Sequence, residues 1–273
     1  MIKYSVLMSV YYKENPAFFN LSLESIINQT IKSDDIVLVC DGPLTDELEK
    51  VIAKHKTNVL NIIRLDKNYG LGIALNEGLK HCKNNIILRA DSDDYSLPNR
   101  AELELKFMID HNYDVISSYV SEFTDSIDNS CSVRKVPLTQ KQINKFCKTR
   151  APFNHPSVVF DKRAIVDVGG YIDFLFFEDY YLWARIIASK KYKYGNLDKP
   201  LVFMRIGNED ELLRRRFSKK AISSSYLIIK KLRELKIINW FEFLIILASR
   251  KLFNSLPFKI KKSIYKKILR TKM

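Results

Sequence analysis

Four short apolar runs, YSVLMSV, DIVLVC, VLNIIRL and NNIILRA, fall within the first ninety residues, with segments of helical character between them. Runs of Val, Ile and Leu without strict alternation suit strands buried on both faces. Strands that alternate with helices need crossovers, the pattern of a parallel sheet covered by helices. Asn15-Pro16 supplies a cap and a first-turn proline for the first helix. Leu44–His55 and Gly70–Cys82 supply the second and third, Pro98 introduces a fourth over RAELELKFMIDH, and Asp114–Phe123 reads as another strand. The expected fold class is α/β, a mostly parallel Rossmann-like sheet flanked by helices.

The middle of the chain is less regular. SVRKV suggests a strand, a short helix starts near Thr139, and HPSVVFDKRAIVDVGGY offers a strand, a short helix and a Gly-Gly break. FLFFEDYYLWARIIASKK places Glu178 and Asp179 near the start of a helix, and LVFMRIGN is one more strand. From Glu211 the pattern is helical, with Trp240–Phe253 a separate helix. A division into an α/β portion at 1–210 and a helical basic extension at 211–273 follows.

Charge supports that division. Residues 211–273 hold 18 Lys or Arg against 3 acidic residues, net +15, whereas 1–210 hold 27 against 28; the whole chain carries +14. The basic excess belongs to the extension, where WFEFLIILASRKLFNSLPFKIKKSIYKKILRTKM joins an apolar helix to a basic amphipathic tail. Its longest apolar stretch, Phe243–Ala248, is six residues, too short to span a bilayer. Phe258, Ile264, Tyr265, Ile268 and Leu269 are expected to form an apolar side bordered by lysines, for attachment to an anionic membrane surface or for packing on the core. The four cysteines, Cys40, Cys82, Cys131 and Cys147, lack metal-ligand spacing and are expected as reduced thiols. The N-terminus lacks the length and cleavage pattern of a signal peptide.

Open α/β sheets bind ligands at the carboxyl ends of their strands. Acidic residues stand there: Asp41 after the second strand, Asp66 after the third, and Asp91, Asp93 and Asp94 after the fourth, in RADSDDYSLPNR. A turn lets two such carboxylates converge on one divalent ion, Mg²⁺ or Mn²⁺, alongside phosphate oxygens; an Asx turn leading into the next helix is the alternative. Asp179 is either a first-turn helix charge or a general base for a hydroxyl acceptor. Tyr180 and Trp183 pack in the core or flank a sugar ring. Asn154 and His155 form a polar turn that contacts phosphate or acceptor, or bonds only locally. Arg214, Arg215 and Arg216 grip a pyrophosphate or form a solvated face.

As an ordered set, VLMSVYYKEN, VLVCDGP, LDKNYGLGIALNEGL, RADSDDYSLPNR, FNHPSVVF and GGYIDFLFFEDYYLWARI resemble the family 2 glycosyltransferases over residues 3–206. The likeness is to small bacterial enzymes of O-antigen, capsule or exopolysaccharide assembly. The resemblance implies a GT-A fold and inverting transfer of a hexose, glucose or galactose, from a UDP-sugar. The acceptor it implies is a sugar on undecaprenyl pyrophosphate, at the cytoplasmic face of the bacterial inner membrane. It further implies Asp41 and Asp91 at the uracil–ribose portion, Asp66 on the nucleotide side, Asp94 on the ribose side or stabilising the turn, Asp93 as ligand of Mn²⁺ or Mg²⁺, and Asp179 as base assisted by Glu178. No Gln-x-x-Arg-Trp motif or multi-span region is present, which favours single addition over polymerisation. A metal-dependent nucleotidyltransferase and a basic nucleic-acid-binding protein are the alternatives, and the near-neutral sheet region speaks against nucleic acid.

Overall fold

The computed structural model describes residues 2–124, 126–127, 130–207 and 209–269. Its first half is the expected alternation. Strands β1 (Ser5–Val10), β2 (Asp35–Cys40), β3 (Leu60–Arg64) and β4 (Ile86–Asp91) lie parallel in the order β3-β2-β1-β4. Helices α1 (Pro16–Ile27), α2 (Asp46–Lys54) and α3 (Leu71–His81) make the crossovers. Asn15 caps α1, its Oδ1 accepting from the Ala17 amide at 2.9 Å. Gly78 lets α3 settle on the sheet: a Cβ there would collide with Leu7 and stand 2.7 Å from Val39 Cγ2.

Beyond β4 the sheet departs from expectation. β5 (Tyr95–Ser96), α4 (Arg100–Asp110), β6 (Val115–Phe123), β7 (Ser130–Arg134) and α5 (Gln140–Phe146) are followed by a 3-10 turn at His155–Ser157. Then come β8 (Val159–Asp161), α6 (Lys162–Asp167), α7 (Glu178–Ser189) and β9 (Tyr194–Arg205). The full order is β3-β2-β1-β4-β8-β6-β9-β5, with β7 on β6. β8 runs antiparallel to both β4 and β6, β7 antiparallel to β6 and β5 antiparallel to β9, while β6 and β9 are parallel. The sheet is therefore mixed, and the expectation of a mostly parallel Rossmann-like sheet is corrected. Apolarity marks a strand as buried but does not record its direction, and β5 and β8, two and three residues long, are too short to display a period.

Two hydrophobic layers cover the sheet. Phe19, Leu23, Leu105 and Met108 pack on one face; α3 and α7 cover the other with Leu75, Leu79, Leu182 and Trp183. The helical extension begins with α8 (Glu209–Arg216) and continues through α9 (Lys219–Glu234), α10 (Trp240–Ser255) and α11 (Phe258–Leu269). α9 inserts Ile228, Ile229 and Leu232 into the same cluster as Trp183, so the extension's second helix shares the core of the α/β portion. Among the described residues no helix is long and apolar enough to cross a membrane. Cys40, Cys82 and Cys147 are buried free thiols, and burial pushes Cys40 up to about 11 and Cys82 to about 12. The Cys131 side chain lies outside the described residues.

Candidate active site

The acidic turn after β4 is built around a buried cation. Arg89, 1% exposed, points both guanidinium Nη atoms at the Asp91 carboxylate in a bidentate pair. Its backbone oxygen accepts from Arg100 Nη2 at 2.8 Å, and Arg100 pairs with Glu104 at 2.9 Å, both side chains completely buried. The strand that delivers the turn is thus fixed by an ionic network under α4. Pro98 stands just before that helix, and its oxygen accepts from the Thr30 amide at 2.8 Å.

Asp93 and Asp94 have different environments. Asp94 is buried; its Oδ1 accepts from the Arg205 amide at 2.8 Å, tying the turn to the end of β9, while Oδ2 is buried without a hydrogen-bond partner among the described residues. Burial, Asp93 and Asp91 push its carboxyl well above the usual range. Asp93 is partly exposed, and burial, Asp91 and Glu14 raise it to about 7. Glu14 follows β1 and accepts from Ser92 Oγ at 2.6 Å. A crowd of carboxylates that resist ionisation together is suited to a cation.

Among the described residues no group of three or more His, Cys, Asp or Glu forms a metal-ligand cluster. The oxygen-only donors nevertheless fit Mg²⁺ or Mn²⁺, which take one or two carboxylates and complete their shell with water and phosphate oxygens. Asp93 reaches partly to solvent and makes no ion pair among the described residues. Asp91 is already engaged by Arg89.

Asp41 is buried at the end of β2 and accepts from the Tyr69 and Gly70 amides at 2.7 and 2.9 Å, shaping the loop before α3. Gly42 beside it has φ +90°, and a Cβ there would sit 2.7 Å from the Asn68 nitrogen, so this corner requires glycine. Asp66 is exposed in that loop, near enough to the Tyr69 phenol to push it above its ordinary value.

Across the sheet, Asn76 on α3 holds the backbone of Tyr171 from both sides, donating to its oxygen at 2.6 Å and accepting from its nitrogen at 2.8 Å. This clamp anchors the loop leading into α7, where Phe176 has φ +69°. Glu178 and Asp179 form the first turn of α7, and Asp179 Oδ1 accepts from the Tyr180 amide at 2.6 Å. Burial and the neighbouring Asp179 raise Glu178 to about 7, and Arg89 and Arg215 oppose the rise. Burial also raises Asp179, against the pull of its helix amide, Arg134 and Arg89. Arg89 therefore lies within electrostatic reach of both the acidic turn and the start of α7.

The remaining expected residues divide. His155 is buried with its ring nitrogen 2.9 Å from the Tyr171 hydroxyl, and burial and Arg89 hold it well below its ordinary value, so it is neutral. Asn154 is fully buried and donates to the Ser118 oxygen at 2.8 Å, a bracing role within the fold. Trp183 is 0% exposed and edge-on to Phe153, so its indole packs in the core and does not flank a sugar. Of the arginine run on α8, Arg214 lies over the Phe258 ring at 5.3 Å, whereas Arg215 is the member whose charge acts on Glu178; Arg216 is exposed.

Three residues at this site were not singled out by sequence reasoning. Arg89 had a visible signal, a lone charge inside an apolar strand. Glu14 stands at a strand's carboxyl end, where the ligand rule applies. Arg205 gave none: its guanidinium covers Phe18 at 3.7 Å and donates through Nε to the Asp93 backbone oxygen at 3.3 Å, a meeting that only the fold creates.

Residues 5–168 match the family described as Glycosyl transferase family 2. An uncharacterised glycosyltransferase of Haemophilus influenzae is 37% identical over 271 residues, 98% of this chain and 100% of that protein. A UDP-Gal:alpha-D-GlcNAc-diphosphoundecaprenol beta-1,3-galactosyltransferase of Escherichia coli is 37% identical over 273 residues, 98% of this chain and 97% of that one. The amylovoran biosynthesis glycosyltransferase AmsE of Erwinia amylovora is 35% identical over 97% of this chain and 98% of its own. Among solved structures, S. aureus TarS in complex with UDP-GlcNAc superposes with a TM-score of 0.67 at 17% identity, over 97% of this chain and 75% of that one. The mannosyltransferase PcManGT of Pyrobaculum calidifontis, in complex with GDP-Man and Mn²⁺, gives 0.62 at 16%, over 94% and 77%. The shared fold is GT-A-like: a mixed sheet flanked by helices, with a helical C-terminal extension.

Proposed function

Because this chain belongs to glycosyl transferase family 2 and is related to bacterial surface-polysaccharide enzymes, we propose that it transfers a hexose, with inversion, from a UDP-sugar to a sugar on a lipid pyrophosphate. Galactose is the first donor hexose to test and an undecaprenyl-pyrophosphate-linked GlcNAc the first acceptor, by analogy with the E. coli relative's stated reaction. The observation that carries the reading is the pairing of two carboxylate groups, Asp91–Asp93–Asp94 and Glu178–Asp179, within the field of one buried guanidinium, Arg89.

In this mechanism Asp41 and Asp91 orient the uracil and ribose, with Asp66 and Asp94 on the same side. Asp93 would hold Mn²⁺ or Mg²⁺, which would supply positive charge against that of the departing diphosphate. Asp179 accepts the proton of the acceptor hydroxyl as its oxygen bonds to the anomeric carbon and the carbon–oxygen bond to UDP breaks. Glu178 repels Asp179, keeping it a stronger base. Arg215, whose charge acts on Glu178 at the start of α7, contributes positive charge toward the diphosphate side.

The test is a donor screen with UDP-Gal, UDP-Glc, UDP-GlcNAc and GDP-sugars, with and without divalent metal, on a lipid-pyrophosphate GlcNAc acceptor. The expected result is UDP together with a glycosylated lipid. UDP without glycosylated lipid would mean hydrolysis. Pyrophosphate release from a nucleoside triphosphate and a sugar phosphate would replace this reading with nucleotidyl transfer.

A further inference from the structure

Among the described residues, five of the exposed large apolar side chains lie on α10. Trp240, Phe241, Leu244, Ile245 and Leu252 are 60%, 72%, 47%, 49% and 68% exposed, and no residue of this 16-residue helix is buried. The helix is nevertheless firmly attached. Phe243 and Ile246 pack against the core, Glu242 pairs with Lys148, and Asn254 donates to the Tyr226 hydroxyl at 3.1 Å. A capping box at Asn239 and Glu242 fixes its start. A rigidly held helix with an unpartnered apolar face is built to meet something outside the fold.

Charge identifies the partner. Lys251 on this helix, and Lys236 and Lys259 in the segments before and after it, are exposed and make no ion pair among the described residues, within an extension whose net charge is +15. A second copy of the same face would set like charges against each other. An anionic lipid surface satisfies both features, accepting the apolar side chains at its acyl boundary and the lysines at its headgroups. We propose that α10 is the membrane-docking helix, seated in the plane of an anionic bilayer through Trp240, Phe241, Leu244 and Leu252.

This assignment moves the contact away from the tail. Phe258 of α11 turns inward, its ring 6.2 Å from Phe217 and beneath Arg214. The side chains of Tyr265, Ile268 and Leu269 lie outside the described residues. The inference rests on the lipid-linked acceptor proposed above for its purpose, but its test is independent of transfer.

The chain has two tryptophans, and Trp183 is fully buried, so contact quenching by lipid reports on Trp240. The full-length protein is titrated with vesicles of phosphatidylglycerol and of phosphatidylcholine carrying brominated acyl chains. Quenching is expected with the anionic vesicles alone. Phe241→Asp and Leu244→Asp should each weaken partitioning about tenfold or more, and Lys251→Glu with Lys259→Glu should weaken it further in a salt-dependent way. UDP binding in each variant confirms a folded donor site. Equal affinity of parent and variants for anionic vesicles, or absence of quenching, would overturn the proposal. Concentration-dependent dimerisation lost in Phe241→Asp, without vesicle binding by the parent, would reassign the face to self-association. Vesicle binding as expected from a protein inactive on the lipid acceptor would leave the docking helix standing and remove the proposed reaction.

Discussion

Replacing Arg89 with methionine removes the positive charge on which the acidic turn is built while filling much of the same space. Breaking a buried ion pair from one side costs about 3–5 kcal/mol, because the surviving charge is left unpaired. The Asp91 side chain retains 27% exposure and can be partly resolvated, so the lower end, about 3 kcal/mol, is expected. The deficit depends on pH. The Arg89 charge lowers Asp93 and Asp94, so without it both carboxyls rise further above the usual unfolded value of about 3.9. Such a group favours the fold while it is protonated, and that contribution is lost as pH rises through the folded pKa. Urea unfolding followed by far-UV circular dichroism should therefore show the full deficit at pH 8 and a smaller one at pH 5. A deficit below about 1 kcal/mol, or one equal at both pH values, would refute the view that Arg89 acts through its charge.

Trp183→Ala should cost about 3–5 kcal/mol in thermal or urea unfolding, as expected for a large buried aromatic, without raising the acceptor KM of whatever folds. Gly42→Ala should weaken UDP binding measured by calorimetry and destabilise the chain by about 1–3 kcal/mol, because φ +90° and the nearby Asn68 backbone oppose a Cβ. In the parent, kcat/KM should fall as pH drops through about 7, where burial and Asp179 place Glu178 and protonation spreads over the pair. Glu178→Gln should move that acid limb to lower pH, since the repelling charge beside the base is gone.

The parallel half of the sheet was legible because β1 to β4 are apolar runs of five or six residues joined by helices with recognisable starts, such as Asn15-Pro16. The antiparallel half was not, since β8 is only Val159–Asp161 and its direction follows from where the chain returns after α5. The candidate site was legible wherever acid residues ended strands, which located Asp41, Asp91, Asp93 and Asp94. It was illegible where function and packing use the same residue type. Trp183 has the same identity on a sugar-binding face as in a core, and Asn154 reads as a polar turn residue free to contact a ligand although it braces β6. Arg205 joins the site only because β9 ends beside the acidic turn, a meeting across 111 residues of chain. The basic extension showed its charge in sequence, but only the packing of Phe258 and the bareness of α10 distinguish the covered apolar side from the open one.

The most direct measurement compares the parent with Asp179→Asn for hexose transfer from a UDP-sugar to a lipid-pyrophosphate-linked sugar, with UDP-sugar affinity measured alongside. Loss of a general base predicts a transfer rate lower by about 10²–10⁴-fold with donor affinity unchanged. Transfer at the parental rate by Asp179→Asn would contradict the account.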